Sequence, residues 1–218
     1  MIKDCLDRYE RLRKERPGLF ADSEACPLVK EREVMEAYAR RTGKPVGVVY
    51  ESPYRLLLVD LIEDGKGGCY PYERLVNTAE GGGVVMIPLW QGRILLLRQY
   101  RHPLRKEQLC FPRGFSEAGS SARENAEREL REELGARCQR ILPLGEVAPD
   151  SGLSASAAEV FLCKLESYEP SLREEGVREI LTLSEEELKQ CLARGEINDG
   201  FTLAALTLWQ SKISREEE

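Results

Sequence analysis

The stretch GFSEAGSSARENAERELREELGA, residues 114–136, carries an unusual density of carboxylates on one predicted helix. Glu129, Glu132 and Glu133 are spaced i, i+3 and i+4, which places their side chains on one helix face, about 5–6 Å apart at Cβ. Three like charges at this distance repel one another and destabilise the helix unless cations neutralise them. There are two candidate sources of this positive charge: the neighbouring arginines and a bound metal ion.

The flanking residues predict where this helix begins and ends. Ser121 and Glu124 form the Ser-x-x-Glu pattern of a capping box, and Gly135 is placed to end the helix in the left-handed conformation. Leu130 belongs to an apolar stripe that would pack on a core. A purely structural interpretation is therefore a solvated helix with i,i+4 glutamate–arginine pairs, each worth a few tenths of a kcal/mol.

The segment before the helix, LCFPRGF at residues 109–115, favours the metal interpretation. It predicts an apolar strand that runs into a Pro-Arg-Gly turn and a loop, which brings loop backbone over the carboxylate face. Mg²⁺ prefers oxygen ligands, such as carboxylates, backbone carbonyls and phosphate oxygens. A strand-loop-helix unit of this kind can supply them.

Together these residues resemble the Nudix box of the Nudix hydrolases, and we call residues 114–136 the box. Gly114 is followed after five residues by position 120, and after seven more by Arg-Glu-Leu-x-Glu-Glu-x-Gly-Ala, which starts at Arg128. The spacing is intact throughout. One position departs from the pattern, because Ser120 stands where the family usually has a glutamate that supports the loop and the box arginine. Glu117 or a water molecule is the alternative support.

Length and composition limit the number of domains and the class of protein. A chain of 218 residues with 42% hydrophobic and 32% charged residues can bury a full core, and it suits one domain with an extension or two small domains. No apolar run approaches the roughly 18–20 residues of a membrane span, and the N-terminus lacks the apolar core of a signal peptide. The sequence therefore predicts a cytoplasmic protein that does not bind membranes.

Cysteine usage and net charge exclude other classes. The seven cysteines are odd in number and scattered without a CxxC pair, which indicates reduced thiols and neither a zinc site nor a disulfide framework. The formal charge of −6 argues against a nucleic-acid partner. An anionic small molecule would have to be attracted by local positive charge.

Periodicity divides the chain into three parts. Residues 1–44 are predicted as a helical N-terminal extension, with helices at 2–16 and 31–42. Residues 45–80 read as a small β-segment of hairpin strands around a Gly-rich turn. Residues 81–214 form the main predicted domain.

The main domain alternates strands and helices. We expect a hairpin that turns at Gln91 and Gly92, later strands and two closing helices; the strands lie near 139–147, 158–166 and 177–183, and the helices run from Ser184 and from about Asp199 to Lys212. Strands with helices on both faces predict an α/β protein, a three-layer sandwich with a mixed sheet.

The resemblance extends over roughly residues 45 to 212. The segments LLLRQYRHPLR (95–105), APDSGLSA (148–155) and 183–210 are similar to the ADP-ribose pyrophosphatase branch of the Nudix family. This implies a Nudix-type α/β/α sandwich, and an N-terminal β-segment that crosses over in a homodimer. We assign no chemistry to the first 40 or so residues.

The resemblance also implies a metal site. Glu129 and Glu133 would be the principal ligands, Glu132 would be the third, and the backbone carbonyl of Arg113 would contribute. Arg128 would orient the glutamates. The implied cofactor is Mg²⁺, with Mn²⁺ as a substitute.

In this branch the general base often comes from an acidic loop well after the box. SLREEGVREI, residues 171–180, lies at the matching place, and we favour Glu175, followed by Glu174. Glu159 is a third candidate. An exposed acidic turn without catalytic function remains the alternative for this loop.

For substrate binding, Arg101 matches the family's substrate-contacting arginine, and Arg98 is a second candidate. Guanidinium groups bind phosphate bidentately, which suits a diphosphate. The two arginines need not both face the site, and an ordinary surface position is the alternative for each. Phe115, directly after Gly114, is also assigned to the substrate site.

The resemblance implies Mg²⁺-dependent hydrolysis of ADP-ribose to AMP and ribose 5-phosphate. One alternative keeps the mechanism and changes the substrate to another nucleotide sugar, such as GDP-mannose, or another ADP compound. The zinc-ribbon cysteines of the NADH-cleaving branch are absent. Another alternative is a catalytically weak sensor that binds a nucleotide, because Ser120 interrupts the box.

Overall fold

The structure is a computed structural model that describes residues 2–78, 81–117, 119–169 and 176–216. The chain forms two compact units. The first is Met1–Ala79 with Asp150–Ser156, and the second is Glu80–Pro149 with Ala157–Glu218.

The first unit packs two helices and a short 3₁₀ turn on a three-stranded antiparallel sheet of order β1–β2–β3. Its elements are α1 Ile2–Glu15, the 3₁₀ turn Pro17–Phe20, α2 Arg32–Thr42, β1 Gly47–Glu51, β2 Arg55–Glu63 and β3 Cys69–Asn77. The core includes Leu6, Leu12, Met35 and Leu58, which are fully or almost fully buried. Gly47 permits the close packing of α1 on β1, because a Cβ there would lie 2.6 Å from the carbonyl oxygen of Cys5.

A distant segment completes the sheet of the first unit. The backbone N–H of Leu75 in β3 donates to the carbonyl of Leu153 at 2.8 Å, and the N–H of Ala155 donates to the carbonyl of Leu75 at 3.0 Å. Periodicity predicts that residues 153–155 belong to the main domain, 81–214, whereas the structure groups them with the first unit. Its pairing with β3 is a long-range contact that local sequence does not encode.

The second unit is built on a seven-stranded sheet. Its elements are β4 Gly83–Trp90, β5 Arg93–Arg101, β6 Lys106–Cys110, β7 Arg113–Phe115, α3 Ala122–Leu134, β8 Arg137–Val147, β9 Ala158–Ser167, β10 Val177–Leu183, α4 Glu185–Ala193 and α5 Gly200–Glu216. The main order is β10–β5–β4–β9–β8, with β6 on β5 and β7 on β4. The β4–β9 pair is parallel and the other pairs are antiparallel, so the sheet is mixed.

Helices cover both faces of this sheet. Val84 and Met86 of β4 face a core that contains residues of α3, whereas Val85 and Ile87 face a core that contains residues of α4 and α5. This alternation follows from the period of two along a strand. The predicted α/β/α sandwich with a mixed sheet is therefore confirmed. In the described part of the chain, no helix combines the length and apolarity needed to cross a membrane.

The predicted hairpin turn and the predicted Pro-Arg-Gly turn had different outcomes. Gln91 and Gly92 both have positive φ, 52° and 75°, and connect β4 to β5 as predicted. The Pro-Arg-Gly segment instead enters a short strand, because Arg113–Phe115 pairs with β4 as β7. The carbonyl of Pro112 accepts a hydrogen bond from the N–H of Met86 at 3.0 Å, which draws this segment onto the sheet.

Candidate active site

The ends of α3 fix the helix that carries the glutamates. The Ser121 hydroxyl accepts a hydrogen bond from the Glu124 N–H at 3.2 Å, and the Glu124 carboxylate accepts one from the Ser121 N–H at 2.7 Å. Gly135 ends the helix with φ of 59°, and its N–H donates to the carbonyl of Arg131 at 3.0 Å. The capping box and the glycine stop predicted from the sequence are both confirmed.

Strand β7 lies directly against the glutamate face of α3. A Cβ at Gly114 would lie 1.9 Å from Cδ of Glu129, so only glycine leaves space for this carboxylate. Glu133 is buried, and its carboxylate accepts a hydrogen bond from the Arg113 N–H at 3.2 Å. The structure therefore brings Glu129 and Glu133 together with the backbone of β7.

Arg128 offsets the repulsion within the glutamate cluster. Its Nη1 lies 2.9 Å from Glu132 Oε2, and its Nη2 lies 2.8 Å from Glu129 Oε1. Nη2 also donates to the carbonyl of Phe115 at 3.1 Å. Burial opposes the charge of the guanidinium, but Glu129 and Glu132 outweigh it and raise the pKa of Arg128. A neighbouring arginine is thus one cation that neutralises this helix face.

Arg113 connects β7 to the start of α5. Its Nη1 donates to Asp199 Oδ1 at 3.0 Å, and its guanidinium lies 4.8 Å from the ring centroid of Phe201. Burial lowers the pKa of Arg113, and Asp199 acts in the opposite direction. Asp199 Oδ2 also accepts hydrogen bonds from the N–H and hydroxyl of Thr202, at 3.0 and 2.8 Å. The sequence analysis places the start of the last helix at about Asp199 but assigns no role to its side chain, although Asp-x-x-Thr before an apolar helix is an N-cap signal.

The two candidate phosphate-binding arginines lie in different surroundings. Arg101 Nη2 donates to Cys110 Sγ at 3.1 Å, and Cys110 belongs to the core that contains residues of α3. Arg101 Nε is shielded from solvent and has no hydrogen-bond partner in the described part of the chain. Arg98 lies on the other face of β5 and forms an exposed ion pair with Glu179 at 2.9 Å. The structure does not bring Arg98 together with the glutamates.

Of the four remaining candidate residues, the structure describes Phe115 and Glu159. The Phe115 residue is 59% exposed directly beside Gly114, so its ring is accessible to a ligand. Glu159 lies exposed on β9, in register with Val84 of β4. Glu174 and Glu175 lie outside the described residues.

The donor chemistry of the glutamate cluster suits a hard divalent cation. Carboxylate oxygens and nearby backbone groups are the ligands that Mg²⁺ prefers, and the absent side chain of Gly114 leaves the space that Glu129 uses. Within the residues that the structure describes, no three acidic, histidine or cysteine side chains stand in a chelating arrangement. In this arrangement the carboxylates of Glu129 and Glu132 are instead ion-paired with Arg128.

Comparison with known proteins identifies the family. Residues 81–202, more than half of the chain, match the family model of the NUDIX domain. The chain is 29% identical over 133 residues to a methanol dehydrogenase activator from Bacillus methanolicus, covering 59% of this chain and 72% of that protein. It is 25% identical over 143 residues to an ADP-ribose pyrophosphatase from Bacillus subtilis (strain 168), covering 64% and 77%.

A solved structure shares the fold. The crystal structure of an ADP compounds hydrolase superposes with a TM-score of 0.68 at 20% identity, over 78% of this chain and 91% of that one. The resemblance found in the box is confirmed by these matches. The chain therefore belongs to the Nudix family, in its ADP-ribose pyrophosphatase-like branch, and it is a Nudix pyrophosphohydrolase.

Proposed function

We propose that this protein hydrolyses the diphosphate bond of ADP-ribose to give AMP and ribose 5-phosphate, with Mg²⁺ as cofactor. The observation that carries the proposal is the packing of the α3 glutamates on the β7 backbone, where Gly114 leaves room for Glu129. The similarity to an ADP-ribose pyrophosphatase supports the choice of substrate within the nucleoside diphosphate derivatives.

In this proposal Glu129 and Glu133 are the principal metal ligands, Glu132 is the third, and the carbonyl of Arg113 contributes. When bound, Mg²⁺ or Mn²⁺ neutralises charge on the diphosphate and makes a nearby water more acidic. Arg128 holds two of the three carboxylates in place through its ion pairs. The Arg113 N–H holds the third, Glu133.

Arg101 is proposed to bind a phosphate group of the substrate. Its Nη2 uses a thiol sulfur, which is a weak acceptor, and its Nε has no hydrogen-bond partner among the described residues. A shielded donor without a partner costs roughly 1–3 kcal/mol, so an anionic oxygen at this guanidinium would be favourable. Phe115 is proposed as a further contact at the edge of the substrate. Arg98, the second arginine candidate, lies on the other face of β5 and is not part of this proposal.

The general base is proposed to be Glu175, or Glu174 beside it. The base has to accept a proton from a water aimed in line with the scissile bond, and a carboxylate suffices when a cation has already acidified that water. Glu159 on β9 is the alternative. Separate Glu→Gln variants at these three positions would identify the base by the largest loss of kcat.

A substrate panel tests the proposal. The purified protein is incubated with ADP-ribose, GDP-mannose, NADH and ADP-glucose, each with Mg²⁺ or with a chelator, and products are separated by chromatography. We expect the highest kcat/KM for ADP-ribose, with AMP and ribose 5-phosphate formed only in the presence of the cation. Faster cleavage of another compound would replace the substrate. Tight nucleotide binding without turnover in Mg²⁺ or Mn²⁺ would instead support a sensor.

A further inference from the structure

The loop between β7 and α3 holds a carboxylate that the box pattern does not include. Glu117 Oε1 lies 3.4 Å from Arg128 Nε. Glu129 and Glu132 pair with the two terminal nitrogens of Arg128 and leave the Nε edge to Glu117. This Nε is shielded from solvent and forms no hydrogen bond with the described residues, so the nearby carboxylate is its source of electrostatic stabilisation.

A buried amide fixes the backbone at Glu117. Asn125, in the first turns of α3, is 1% exposed. Its Oδ1 accepts a hydrogen bond from the Glu117 N–H at 3.0 Å, and its Nδ2 donates to the Ser121 carbonyl at 2.9 Å and to the Ser120 carbonyl at 3.4 Å. The side chain must donate and accept at once, which neither a carboxylate nor an apolar group can do. Asn125 therefore holds the loop in the conformation that presents Glu117 to Arg128.

Ser120 contributes to the same turn through its backbone. Its N–H donates to the Glu117 carbonyl at 3.2 Å, and its carbonyl accepts from Asn125. The neutral hydroxyl of Ser120 cannot form an ion pair with Arg128. Position 120 therefore supplies no carboxylate to Arg128, whereas Glu117, three residues earlier, lies close to it.

We propose that Glu117, held by Asn125, is a positioning residue that supplies Arg128 with the carboxylate that position 120 lacks. By keeping Arg128 in place, it keeps Glu129 and Glu132 oriented for a divalent cation. The inference rests on the proposed function, because it concerns the same metal site. Neither Glu117 nor Asn125 contacts the substrate; both act through Arg128.

A carboxylate swap tests this inference. We compare Glu117→Ala, Glu117→Gln, Ser120→Glu and the double variant Glu117→Ala/Ser120→Glu. The measurements are Mn²⁺ affinity by electron paramagnetic resonance, the Arg128 Nε–H resonance in the metal-free protein, and kcat and KM. We expect both Glu117 variants to weaken Mn²⁺ binding about tenfold, to shift the Arg128 resonance and to lower kcat more than they raise KM. The double variant should return Mn²⁺ affinity to within about threefold of the unmodified protein.

Two further variants complete the design. Glu127→Ala removes an exposed ion pair with Arg123 on the same helix and should change none of the three measurements. Asn125→Ala should act in the same direction as Glu117→Ala; if that buried change prevents folding, Glu117→Gln, at an exposed side chain, decides the question.

The inference is overturned if both Glu117 variants keep the unmodified Mn²⁺ affinity and Arg128 resonance, or if the double variant shows no recovery. Mn²⁺ affinity and the Arg128 resonance need no substrate. A protein that passes this test but leaves ADP-ribose intact would contradict the proposed function and not the role of Glu117.

Discussion

At the scale of single residues, the charge of α3 is balanced by the groups that surround it. Arg128 contacts two of the box glutamates, and the third, Glu133, accepts a backbone hydrogen bond from β7. Without these partners the like charges would raise the free energy of the folded protein. A cation at the proposed metal site would have to compete with Arg128 for Glu129 and Glu132, so its binding would depend on every group that positions this arginine.

Replacing Glu133 with glutamine tests the metal assignment. The amide keeps the size of the side chain and an oxygen that can accept the Arg113 N–H, but it removes the negative charge. We expect kcat/KM for ADP-ribose to fall by about 100-fold or more, since even outer-shell partners of metal ligands cost roughly 10–100-fold when removed. The circular dichroism spectrum should stay unchanged. Full activity in this variant would rule out Glu133 as a ligand, and Glu127→Gln on the same helix is the control.

Gly114→Ala tests the close approach of β7 to α3. The new Cβ would lie 1.9 Å from Cδ of Glu129, so the carboxylate has to move away. We expect Mn²⁺ affinity and kcat/KM to fall about 10–100-fold. Gly18→Ala is the matched control, because a Cβ there meets no atom within 4 Å. Equal kinetics of the two variants would show that the position of Glu129 does not matter for the reaction.

The contacts of some residues can be predicted from the sequence, and those of others cannot. The spacing of the box glutamates follows from helical geometry, and the structure places them as that geometry requires. Asp199 contacts Arg113 across 86 positions of the chain, and no local pattern links the two. The part that Glu117 and Asn125 play depends on loop conformation, which the residues of the loop do not determine by themselves.

At the scale of elements, the contact between β7 and the start of α5 connects the box to the end of the chain. Asp199 caps α5 through Thr202 and pairs with Arg113 at the same time. The Asp199 side chain is 6% exposed and that of Arg113 is 24% exposed, so this ion pair is largely removed from water. Loss of its anion would leave Arg113 as a buried charge without compensation.

Asp199→Asn tests this link between β7 and α5. Asparagine can still cap the helix, but it cannot neutralise Arg113. We expect the free energy of unfolding to fall by about 2–3 kcal/mol, which is below the usual range for a broken buried pair because Arg113 is partly exposed. Urea unfolding followed by tryptophan fluorescence measures it, since Trp90 and Trp209 both lie in the second unit.

The control for this change is Glu196→Gln, which breaks an exposed pair with Arg194 and should leave the free energy of unfolding nearly unchanged. A similar small effect of both substitutions would mean that the Arg113–Asp199 pair does not stabilise the second unit.

Elements were predictable where their signals are local. The capping box at Ser121, the helix start at Ser184 and the turn at Gln91 are short-range patterns, and all three form as the sequence indicates. Strand β7 was predicted as part of a turn, because three residues after a proline carry no periodicity. Its pairing with β4 comes from tertiary contacts.

At the scale of the whole molecule, long-range pairing determines the topology. The parallel β4–β9 pair and the pairing of 153–155 with β3 each join segments that are far apart in sequence. Periodicity predicted the layers of the sandwich, but the Nudix type came from the resemblance of the box. Under the proposed function the substrate is an anion, which a net charge of −6 does not attract, so local positive charge has to bind it. Among the residues that the structure describes, Arg101 Nε has no hydrogen-bond partner and is available for this purpose.

The resemblance further predicts a homodimer. Size-exclusion chromatography with light scattering should give twice the mass of one chain at micromolar concentration. A mass equal to one chain over the whole concentration range would contradict this prediction. We expect the same molar mass with and without chelator.

Cation-dependent cleavage of ADP-ribose is the reaction proposed for this protein. The measurement is the initial rate of AMP formation from ADP-ribose by the unmodified protein, first with excess chelator and then after addition of Mg²⁺. We predict a rate at the level of the uncatalysed control in chelator, followed by formation of AMP and ribose 5-phosphate in equal amounts once Mg²⁺ is added. An unchanged rate in chelator, or no AMP in Mg²⁺ and Mn²⁺, would contradict cation-dependent hydrolysis of ADP-ribose by this protein.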